Sequence, residues 1–457
     1  MFPVKSENID CEGACVDGAC QQPSCSDGIL NQGESEVDTG GPCSPEGYVY
    51  ITGRLMYEEG ESDFNNTYSS TGWKPVRYVK ISLKKENGDS GWATAFTDRD
   101  GYFRIVVSRE DIVGDNYYLQ FKAEVPGVAR VHKDFDGCNE YVWWRTKGTF
   151  SIPARGDVEL GDIKIRRNRN VDVEGFWQEV DDDFFCGGDK QDVEGGAAYF
   201  NILETIRLAR NWVDGKRADT DSIARVDVAY PDVGPLDFVR PDDAIGTPWQ
   251  NPFYDEIYLA GPIEGNNYLD YGYRDGTIVH EYAHHLSEQI SENDWALDTH
   301  YFCKKTDEEF AWFEGFASFL ATYLANLYRN VPGYELDLKY ASNQIIEAPE
   351  RAICRGEPLT YDKFGRDVEG VIIAFLWDVV DKEGDINYRE EMFDQLENRM
   401  AEIIAAFDTE IDNLNDAPDV CEFIRGDEGL KERLRRTGGE DAVRALDNLI
   451  DYYKFYC

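Results

Sequence analysis

The chain has 457 residues, and at roughly 150 residues per domain this length predicts about three domains. Hydrophobic residues make up 42% of the sequence and aromatic residues 13%, which is enough for packed cores and excludes a wholly disordered chain. The formal net charge of −43 repels nucleic acid and anionic lipid, so neither is an expected partner. The longest apolar run, Gly370–Trp377, is far shorter than the ~20 residues of a membrane span, so no membrane insertion is expected.

Cysteines are concentrated near the start of the chain. Of the eleven cysteines, five fall in the first 43 residues: Cys11, Cys15, Cys20, Cys25 and Cys43. This density in a short polar segment predicts a disulfide framework over residues 1–45, and therefore a secreted or cell-surface protein. A zinc knuckle is the weaker alternative, because no histidine lies nearby and no Cys-x-x-Cys pair occurs. The chain opens without a basic and then apolar signal segment, so export is inferred from the cysteines alone.

The stretch 25–43 resembles a short cysteine-rich repeat of bacterial secreted and surface proteins. Thr39 stands where that repeat usually carries a further cysteine, which would leave one cysteine without its partner. Oxygen-bearing side chains lie close together within this stretch and predict a calcium site, made of Asp27, Asn31, Glu34 and Asp38. The alternative is that these four are ordinary turn residues in a disulfide-bonded loop.

Residues 46–166 alternate between short apolar strands, such as 102–107, and tight turns, such as Asn87-Gly88. Several strands at this spacing predict an all-β sandwich. The block Ala93–Phe103, with the sequence ATAFTDRDGYF, resembles the transthyretin-like, carboxypeptidase-regulatory-like sandwich. Such modules usually accompany secreted enzymes without catalysing a reaction, so the resemblance implies no chemistry for this region.

Residues 167–457 have a mixed pattern that becomes helical towards the C-terminus. Two stretches read as strands, 223–230 and 256–260. Apolar periodicity predicts helices over 196–212, 277–290, 307–328, 368–380 and 389–407. Strands and helices in this order predict an α+β domain with a helical C-terminal half, which makes the whole chain multidomain.

One helical segment carries a metal-binding pattern. His280 and His284 are four residues apart, so a helix places both imidazoles on one face, where both can reach one Zn²⁺. Glu281 lies beside them and can take a proton from water activated by the metal. With five histidines in the chain, the chance expectation for His-Glu-x-x-His is about one in 200. The alternative, a coincidental pair on a surface helix, is weakened by the apolar residues that flank the motif.

A catalytic zinc needs a third protein ligand, and Glu314 is the favoured candidate. It lies in an apolar, aromatic stretch, where a lone carboxylate is costly unless it binds a metal or a partner. His300 is the rival, in a loop-like segment. Glu308 and Glu309 precede this stretch in a polar run and are expected to face solvent or cap the helix. The metzincin pattern is excluded, because its Gly and His positions are Ser287 and Ile290 here.

His280-Glu281-x-x-His284 followed by Glu314-Gly315-Phe316-Ala317 resembles the gluzincin metallopeptidases, the group of thermolysin-like enzymes and zinc aminopeptidases. The resemblance implies that His280, His284 and Glu314 are zinc ligands and that Glu281 is the general base. Ser318 stands where thermolysin-like members carry an aspartate that orients a histidine, so support for one ligand is unassigned. A later stretch, 374–381, resembles a helix of bacterial secreted zincins with a similar Glu-Gly-x-Ala motif.

The same resemblance implies how a substrate would bind. Residues 256–260 would be the edge strand before the active-site helix, and a peptide could pair with that edge. Most such enzymes add a His or Tyr that stabilises the oxyanion. No histidine follows His300, so the candidate for this role after Glu314 is a tyrosine. The sequence does not distinguish among five candidates: Tyr323, Tyr328, Tyr340, Tyr361 and Tyr388.

Two further histidines and the remaining cysteines have structural interpretations. His285 points about 100° away from His284 on a helix and is expected to be structural. His132 is expected at the surface. Six cysteines outside the N-terminal segment allow fifteen sets of three disulfides, and a Cys303–Cys354 bridge would brace the Glu314 helix.

The sequence therefore predicts a multidomain chain. It comprises a cysteine-rich segment (1–45), a transthyretin-like sandwich (46–166) and a zincin-like metallopeptidase domain (167–457). The predicted function is a secreted zinc metallopeptidase acting on protein or peptide substrates. Endopeptidase action is favoured, because the amine-binding Gly-x-Met-Glu-Asn type of motif is not found. The alternatives are a cell-surface binding or adhesion protein with an inactive zincin domain, and a zinc hydrolase acting on another bond. Oligomeric state is left open.

Overall fold

A computed structural model describes the chain in segments. The described residues are 15–16, 19–20, 44–45, 47–62, 68–86, 91–112, 115–135, 138–167, 172–179, 192–193, 196–217, 222–232, 249–251, 256–261, 270–290, 302–328, 353–354, 357–358, 364–380, 396, 399–410 and 419–457. The predicted calcium ligands Asp27, Asn31, Glu34 and Asp38 lie outside these segments, as does the rival zinc ligand His300.

Strands dominate the first half of the chain. They are β1 (Cys15–Val16), β2 (Ala19–Cys20), β3 (Tyr48–Ser62), β4 (Tyr68–Pro75), β5 (Lys80–Lys85), β6 (Gly91–Phe96), β7 (Tyr102–Ser108), β8 (Asn116–Lys122), β9 (Glu124–Val125), β10 (Ala129–Phe135), β11 (Cys138–Thr146), β12 (Phe150–Ser151), β13 (Val158–Ile165), β14 (Val173–Glu179) and β15 (Asp192–Val193). A short helix, α1 (Arg109–Ile112), follows β7.

Helices dominate the second half. In chain order the elements are α2 (Ala197–Asp214), β16 (Val226–Asp232), β17 (Trp249–Asn251), β18 (Glu256–Ala260), a 3₁₀ turn (Tyr271–Tyr273), α3 (Asp275–Ile290), α4 (Glu308–Tyr328), β19 (Ile353–Cys354), β20 (Glu357–Pro358), α5 (Glu369–Val380), α6 (Met400–Glu410), α7 (Val420–Arg425) and α8 (Leu430–Tyr453), which is broken at Gly439. The predicted α+β class, with sheets first and helices later, is confirmed.

The predicted helices correspond closely to the observed ones. Helices α2, α3, α4 and α5 match their predicted ranges to within two residues at each end. Of the helix predicted over 389–407, the structure describes the part from Met400 as α6, and residues 396 and 399 are not helical; the other residues of that prediction lie outside the described segments. Apolar periodicity therefore located the helices well, and their ends less well.

The smaller sheet is built around the long strand β3. Its first half pairs antiparallel with β7, its second half pairs antiparallel with β4, and β13 lies parallel to it. In β7 the buried side chains of Phe103, Ile105 and Val107 alternate with exposed neighbours. This period of two is the reason that the sequence predicted strands here.

The larger sheet runs past the predicted boundary at residue 166. Among the described residues its main path is β17-β18-β16-β10-β11-β8-β5-β6. Strand β16 lies parallel to both β10 and β18, so strands from before and after residue 166 share one hydrogen-bonded sheet. The boundary between the second and third domains stays a prediction, but no break in the sheet marks it among the described strands.

Helix α2 covers one face of the larger sheet. The indole of Trp144, on β11, is fully buried and meets the rings of Tyr199 and Phe200 edge-on, with centroids 4.9 and 5.2 Å apart. Arg77, in the loop after β4, forms a buried ion pair with Glu204 of α2. Residues on the two sheets and on this helix belong to one apolar core. The sheets and the helices of the second half therefore pack against each other through a shared apolar core.

Two expectations about the larger sheet were wrong. Residues 256–260 do form a strand, but β17 pairs with β18 antiparallel and takes the outer position, so β18 is not the edge. His132 was expected at the surface, yet it is 1% exposed and its Nε2 contacts Glu256 Oε1. It is buried because β10 lies between β11 and β16, and strand order of this kind is not visible in a single sequence.

Buried polar contacts hold the start of α3. The carboxylate of Asp275 accepts hydrogen bonds from Asn201 Nδ2 (2.8 Å) and Thr205 Oγ1 (3.1 Å), both on α2. Just before it, Asp270 accepts a hydrogen bond from Tyr230 Oη (2.7 Å). Asp275 also suits the positive end of the helix dipole. The sheet and α2 therefore set the position from which α3 begins.

Helices α4 and α5 are in close contact at a glycine. A Cβ added to Gly315 of α4 would lie 2.6 Å from Cβ of Ile372 on α5, well inside van der Waals contact. Residue 315 must therefore lack a side chain for α5 to pack this closely.

Gly315→Ala is expected to lower the free energy of unfolding by about 1–3 kcal/mol, because the new methyl group overpacks the α4–α5 contact. Higher helix propensity offsets this by up to ~1 kcal/mol. Denaturant unfolding measures the change. The matched control is Gly215→Ala, where the added Cβ meets nothing nearer than 3.5 Å, and a change below about 0.5 kcal/mol is expected. Equal losses in both variants would contradict the packing role of Gly315.

The C-terminal end of the chain is tied down by a disulfide between Cys421 and Cys457. Cys303 is also disulfide-bonded. The side chain of Cys354 lies outside the described residues, so the Cys303–Cys354 pairing stays a prediction.

Candidate metal centre

The imidazoles of His280 and His284, both on helix α3, direct their Nε2 atoms towards each other. The Nε2 atoms of His280 and His284 lie 3.1 Å apart, and the ring centroids are 4.7 Å apart with the planes nearly perpendicular. The side chains are 4% and 11% exposed. This is the geometry expected for residues one turn apart on a helix.

Helix α4 adds a carboxylate at that point. Oε2 of Glu314 lies 3.1 Å from Nε2 of His280 and 3.5 Å from Nε2 of His284. The side chain of Glu314 is 11% exposed. His280, His284 and Glu314 thus form the cluster of potential metal ligands found among the described residues.

The three side chains fit a zinc ion. Zinc takes nitrogen and oxygen ligands at about 2.0–2.1 Å in tetrahedral geometry, which corresponds to ligand atoms roughly 3.3 Å apart. The observed separations of 3.1, 3.1 and 3.5 Å agree with this value. Two histidines and one carboxylate are also the ligand set of a known class of catalytic zinc sites, in which three protein ligands suffice.

Glu281 follows His280 on α3 and is 7% exposed. It lies near Tyr271, in the 3₁₀ turn before the helix. Burial raises the pKa of Tyr271, the nearby Glu281 carboxylate adds to the rise, and the Arg274 guanidinium opposes it. The guanidinium carbon of Arg274 is 5.1 Å from the centre of the Tyr271 ring. The side chain of Glu281 is therefore buried, and its charge acts on this turn.

A hydroxyl and a second carboxylate lie behind His280. Oγ of Ser318, one turn after Glu314 on α4, is 3.3 Å from Nδ1 of His280. The same hydroxyl donates a hydrogen bond to Oε1 of Glu369, at 3.1 Å, in the first turn of α5. All three side chains are buried.

Other predicted residues lie elsewhere. His285 is buried and stacks on the ring of Tyr282 at 5.5 Å, in agreement with a structural position. Glu308 forms an ion pair with Arg366 at 2.7 Å, away from the cluster. Tyr323 is nine residues after Glu314, roughly 180° around the helix, and its ring packs near Trp377 at 6.4 Å.

Tyr328 is fourteen residues after Glu314, which puts it about 21 Å along α4. Neither Tyr323 nor Tyr328 is therefore placed to stabilise an oxyanion at the cluster. The other three candidates, Tyr340, Tyr361 and Tyr388, lie outside the described residues.

Comparisons with known proteins agree with this geometry. Residues 270–416 match the family model described as the Mycolysin C-terminal domain. The matched range contains the cluster, Glu281, Ser318 and Glu369. This region is a mycolysin-like metallopeptidase domain, and it contains the cluster of two histidines and a glutamate that could hold a metal ion.

A relative from Archaeoglobus fulgidus, described as an uncharacterized protein, is 32% identical over 387 residues. The match covers 82% of this chain and 99% of the relative. The chain belongs to the same family as this archaeal protein. Family membership therefore extends well beyond the mycolysin-like region.

Among solved structures, a 9R-lipoxygenase from Cyanothece matches over 38% of this chain and 26% of its own length. The sequence identity is 15% and the TM-score 0.18, so this likeness carries no structural argument. None of the described helices has the length and apolarity needed to cross a bilayer.

Sequence reasoning did not identify Glu369. A signal was present in the sequence, because a glutamate opens the most apolar of the described helices, Glu369–Val380; in the structure this glutamate is 1% exposed. A buried carboxylate in such a setting needs a partner. The partner, Ser318, is 51 residues away in the sequence, so only the fold brings the two together.

Proposed function

We propose that the chain is a secreted zinc-dependent metallopeptidase that cleaves peptide bonds, with endopeptidase action favoured. One observation carries this proposal: His280, His284 and Glu314 converge from two helices to separations that suit zinc, with Glu281 next to them on α3. The similarity to the Mycolysin C-terminal domain over 270–416 supports it.

Each residue of the site has a defined task in this mechanism. When bound, zinc supplies a Lewis acid that polarises the scissile carbonyl and lowers the pKa of a water molecule. Glu281 accepts a proton from that water and returns it to the leaving amine. Its burial beside Tyr271 keeps the carboxylate in a protein environment with little competing solvent.

The sheet edge next to α3 is the proposed place for the substrate backbone. Strand β17 lies outermost on this side of the described sheet and runs antiparallel to β18. A peptide could extend the sheet by pairing with β17, since outer strands carry unpaired backbone groups. Specificity would then depend on side-chain pockets along the edge.

Secretion is also part of the proposal. It is supported by the cysteine-rich segment 1–45 and by the Cys421–Cys457 disulfide, because disulfides persist in oxidising compartments. Calcium binding by the oxygen-bearing side chains of the N-terminal segment, Asp27, Asn31, Glu34 and Asp38, is proposed on sequence grounds alone.

The test is cleavage of a mixed peptide library by the full chain. The protein is assayed zinc-loaded, after removal of metal by a chelator, and after zinc is restored, and zinc content is measured in each state. We expect one zinc per chain, cleavage within peptides, loss of cleavage on chelation and recovery with zinc.

Two outcomes would overturn the proposal. A chain that binds no zinc and cuts no peptide would support a binding or adhesion protein with an inactive domain. A chain that binds zinc but leaves every peptide intact would indicate hydrolysis of another kind of bond. Release of single N-terminal residues alone would replace endopeptidase by aminopeptidase action.

A further inference from the structure

We propose that Ser318 and Glu369 are positioning residues that hold the imidazole of His280 with Nε2 directed at the metal. Glu369 orients the Ser318 hydroxyl, and the hydroxyl orients the ring. This inference rests on the proposed zinc site and deepens it, because it identifies the support of a ligand that the sequence left unassigned.

The direction of the hydrogen bonds follows from the ligand role of His280. A histidine that binds a metal through Nε2 carries its proton on Nδ1, which must then donate. The Ser318 hydroxyl donates its own proton to Oε1 of Glu369 (3.1 Å) and so can accept one from Nδ1 of His280 (3.3 Å). The chain of donors thus runs from the imidazole through the hydroxyl to the carboxylate.

Burial protects the hydrogen bonds among His280, Ser318 and Glu369 from water. Ser318 is 0% exposed, Glu369 1% and His280 3%, so water does not compete for these hydrogen bonds. A carboxylate in such surroundings is costly unless it accepts hydrogen bonds from defined donors. Its position in the first turn of α5 adds the favourable interaction with the helix dipole.

The backbone around Glu369 is fixed from two sides. On one side, Gly315 lets α5 approach α4 closely, as described above. On the other, the N–H of Gly370 donates to the carbonyl of Phe302 at 2.8 Å, and the N–H of Thr306 donates to the carbonyl of Asp367 at 2.8 Å. The start of α5 is therefore pinned to the segment that leads into α4, which keeps the carboxylate next to Ser318.

This arrangement explains how a serine can stand where thermolysin-like members place an aspartate. A serine hydroxyl carries no charge and cannot by itself strengthen the ligand as a carboxylate does. Here the charge comes from a different helix, α5, and reaches the imidazole through the hydroxyl. Three helices, α3, α4 and α5, then contribute to the site.

The experiment compares zinc affinity in the full chain and in variants, by competition with a chromogenic chelator. Ser318→Ala removes the hydroxyl, and zinc binding is expected to weaken about 10–100-fold. Thr322→Ala is the matched control, because it removes a buried hydroxyl one turn further along α4 that donates to the Ser318 carbonyl. Its zinc affinity is expected to stay within about twofold of wild type.

Glu369→Gln keeps the shape of the side chain and an acceptor oxygen but removes the charge. We expect a loss smaller than that of Ser318→Ala. If the carboxylate acts through the hydroxyl, the double variant binds zinc no more weakly than Ser318→Ala alone. If the losses of zinc affinity in the two single variants add up in the double variant, Glu369 acts independently of Ser318. That result would overturn the proposal that the carboxylate acts through the hydroxyl.

A second readout separates positioning from general stability. The thermal midpoint of the metal-free protein is expected to fall in both variants, because each loses a buried hydroxyl, whereas the visible absorption of the cobalt-substituted site changes only in Ser318→Ala. Zinc affinity of Ser318→Ala equal to that of Thr322→Ala would overturn the inference while leaving the peptidase proposal intact. Failure of wild type itself to bind zinc would instead overturn the proposed function.

Discussion

Glu281→Gln is expected to bind zinc with wild-type stoichiometry while kcat for peptide cleavage falls by on the order of 10²–10⁴-fold. The substitution keeps the size of the side chain but removes the carboxylate that accepts the proton from water. The three ligand atoms come from other residues and are unaffected. Metal analysis and steady-state kinetics on a peptide identified from the library measure the two quantities.

The control for this variant is Glu288→Gln, on the same helix and one turn beyond His284. It removes the same charge outside the ligand cluster, and kcat is expected to change by less than about threefold. A Glu281→Gln protein that holds zinc and retains full kcat would exclude Glu281 as the general base. A protein without zinc would instead indicate that Glu281 supports the metal site.

Glu314→Gln is expected to weaken zinc binding by on the order of 10²–10³-fold, since zinc binding of about 10–16 kcal/mol is shared among its ligands. The neutral amide is a poorer ligand than the carboxylate that lies 3.1 Å from Nε2 of His280. Activity at limiting zinc should fall with occupancy, and added zinc should restore part of it. A competition titration with a chelator measures the affinity.

The matched control is Glu309→Gln, five residues earlier on α4 and outside the ligand cluster. Its zinc affinity should equal that of wild type. A second readout is the thermal midpoint, because zinc at 100 times its dissociation constant stabilises the folded chain by about 2.7 kcal/mol. This stabilisation should be lost in Glu314→Gln at the same zinc concentration and kept in Glu309→Gln. Equal affinity in the two variants would remove Glu314 from the site.

The prediction of Glu314 and the failure to identify Glu369 have the same physical basis. Both are carboxylates in apolar helices, where burial requires a partner. Glu314 belongs to the short pattern Glu314-Gly315-Phe316-Ala317, which resembles a gluzincin motif and so indicates a metal ligand. Glu369 depends on a contact with Ser318, 51 residues away, which no local pattern encodes. The same limit explains His132, whose burial follows from the position of its strand inside the sheet.

What the sequence determined by itself is the local chemistry and the local periodicity. The four-residue spacing of His280 and His284, the adjacent Glu281 and the apolar repeat of α2 to α5 are properties of neighbouring residues, and helix geometry converts them directly into structure. The composition likewise indicated strands first and helices later, as the structure has them.

What only the tertiary structure decided is which distant parts meet. It placed β17 outside β18, continued one sheet across residue 166 and brought α5 against α4 so that Glu369 reaches Ser318. These contacts join residues far apart in the chain and are set by packing and by strand order. Periodicity describes one element at a time, so the ligands could be recognised in the sequence while the groups that hold them in place could not.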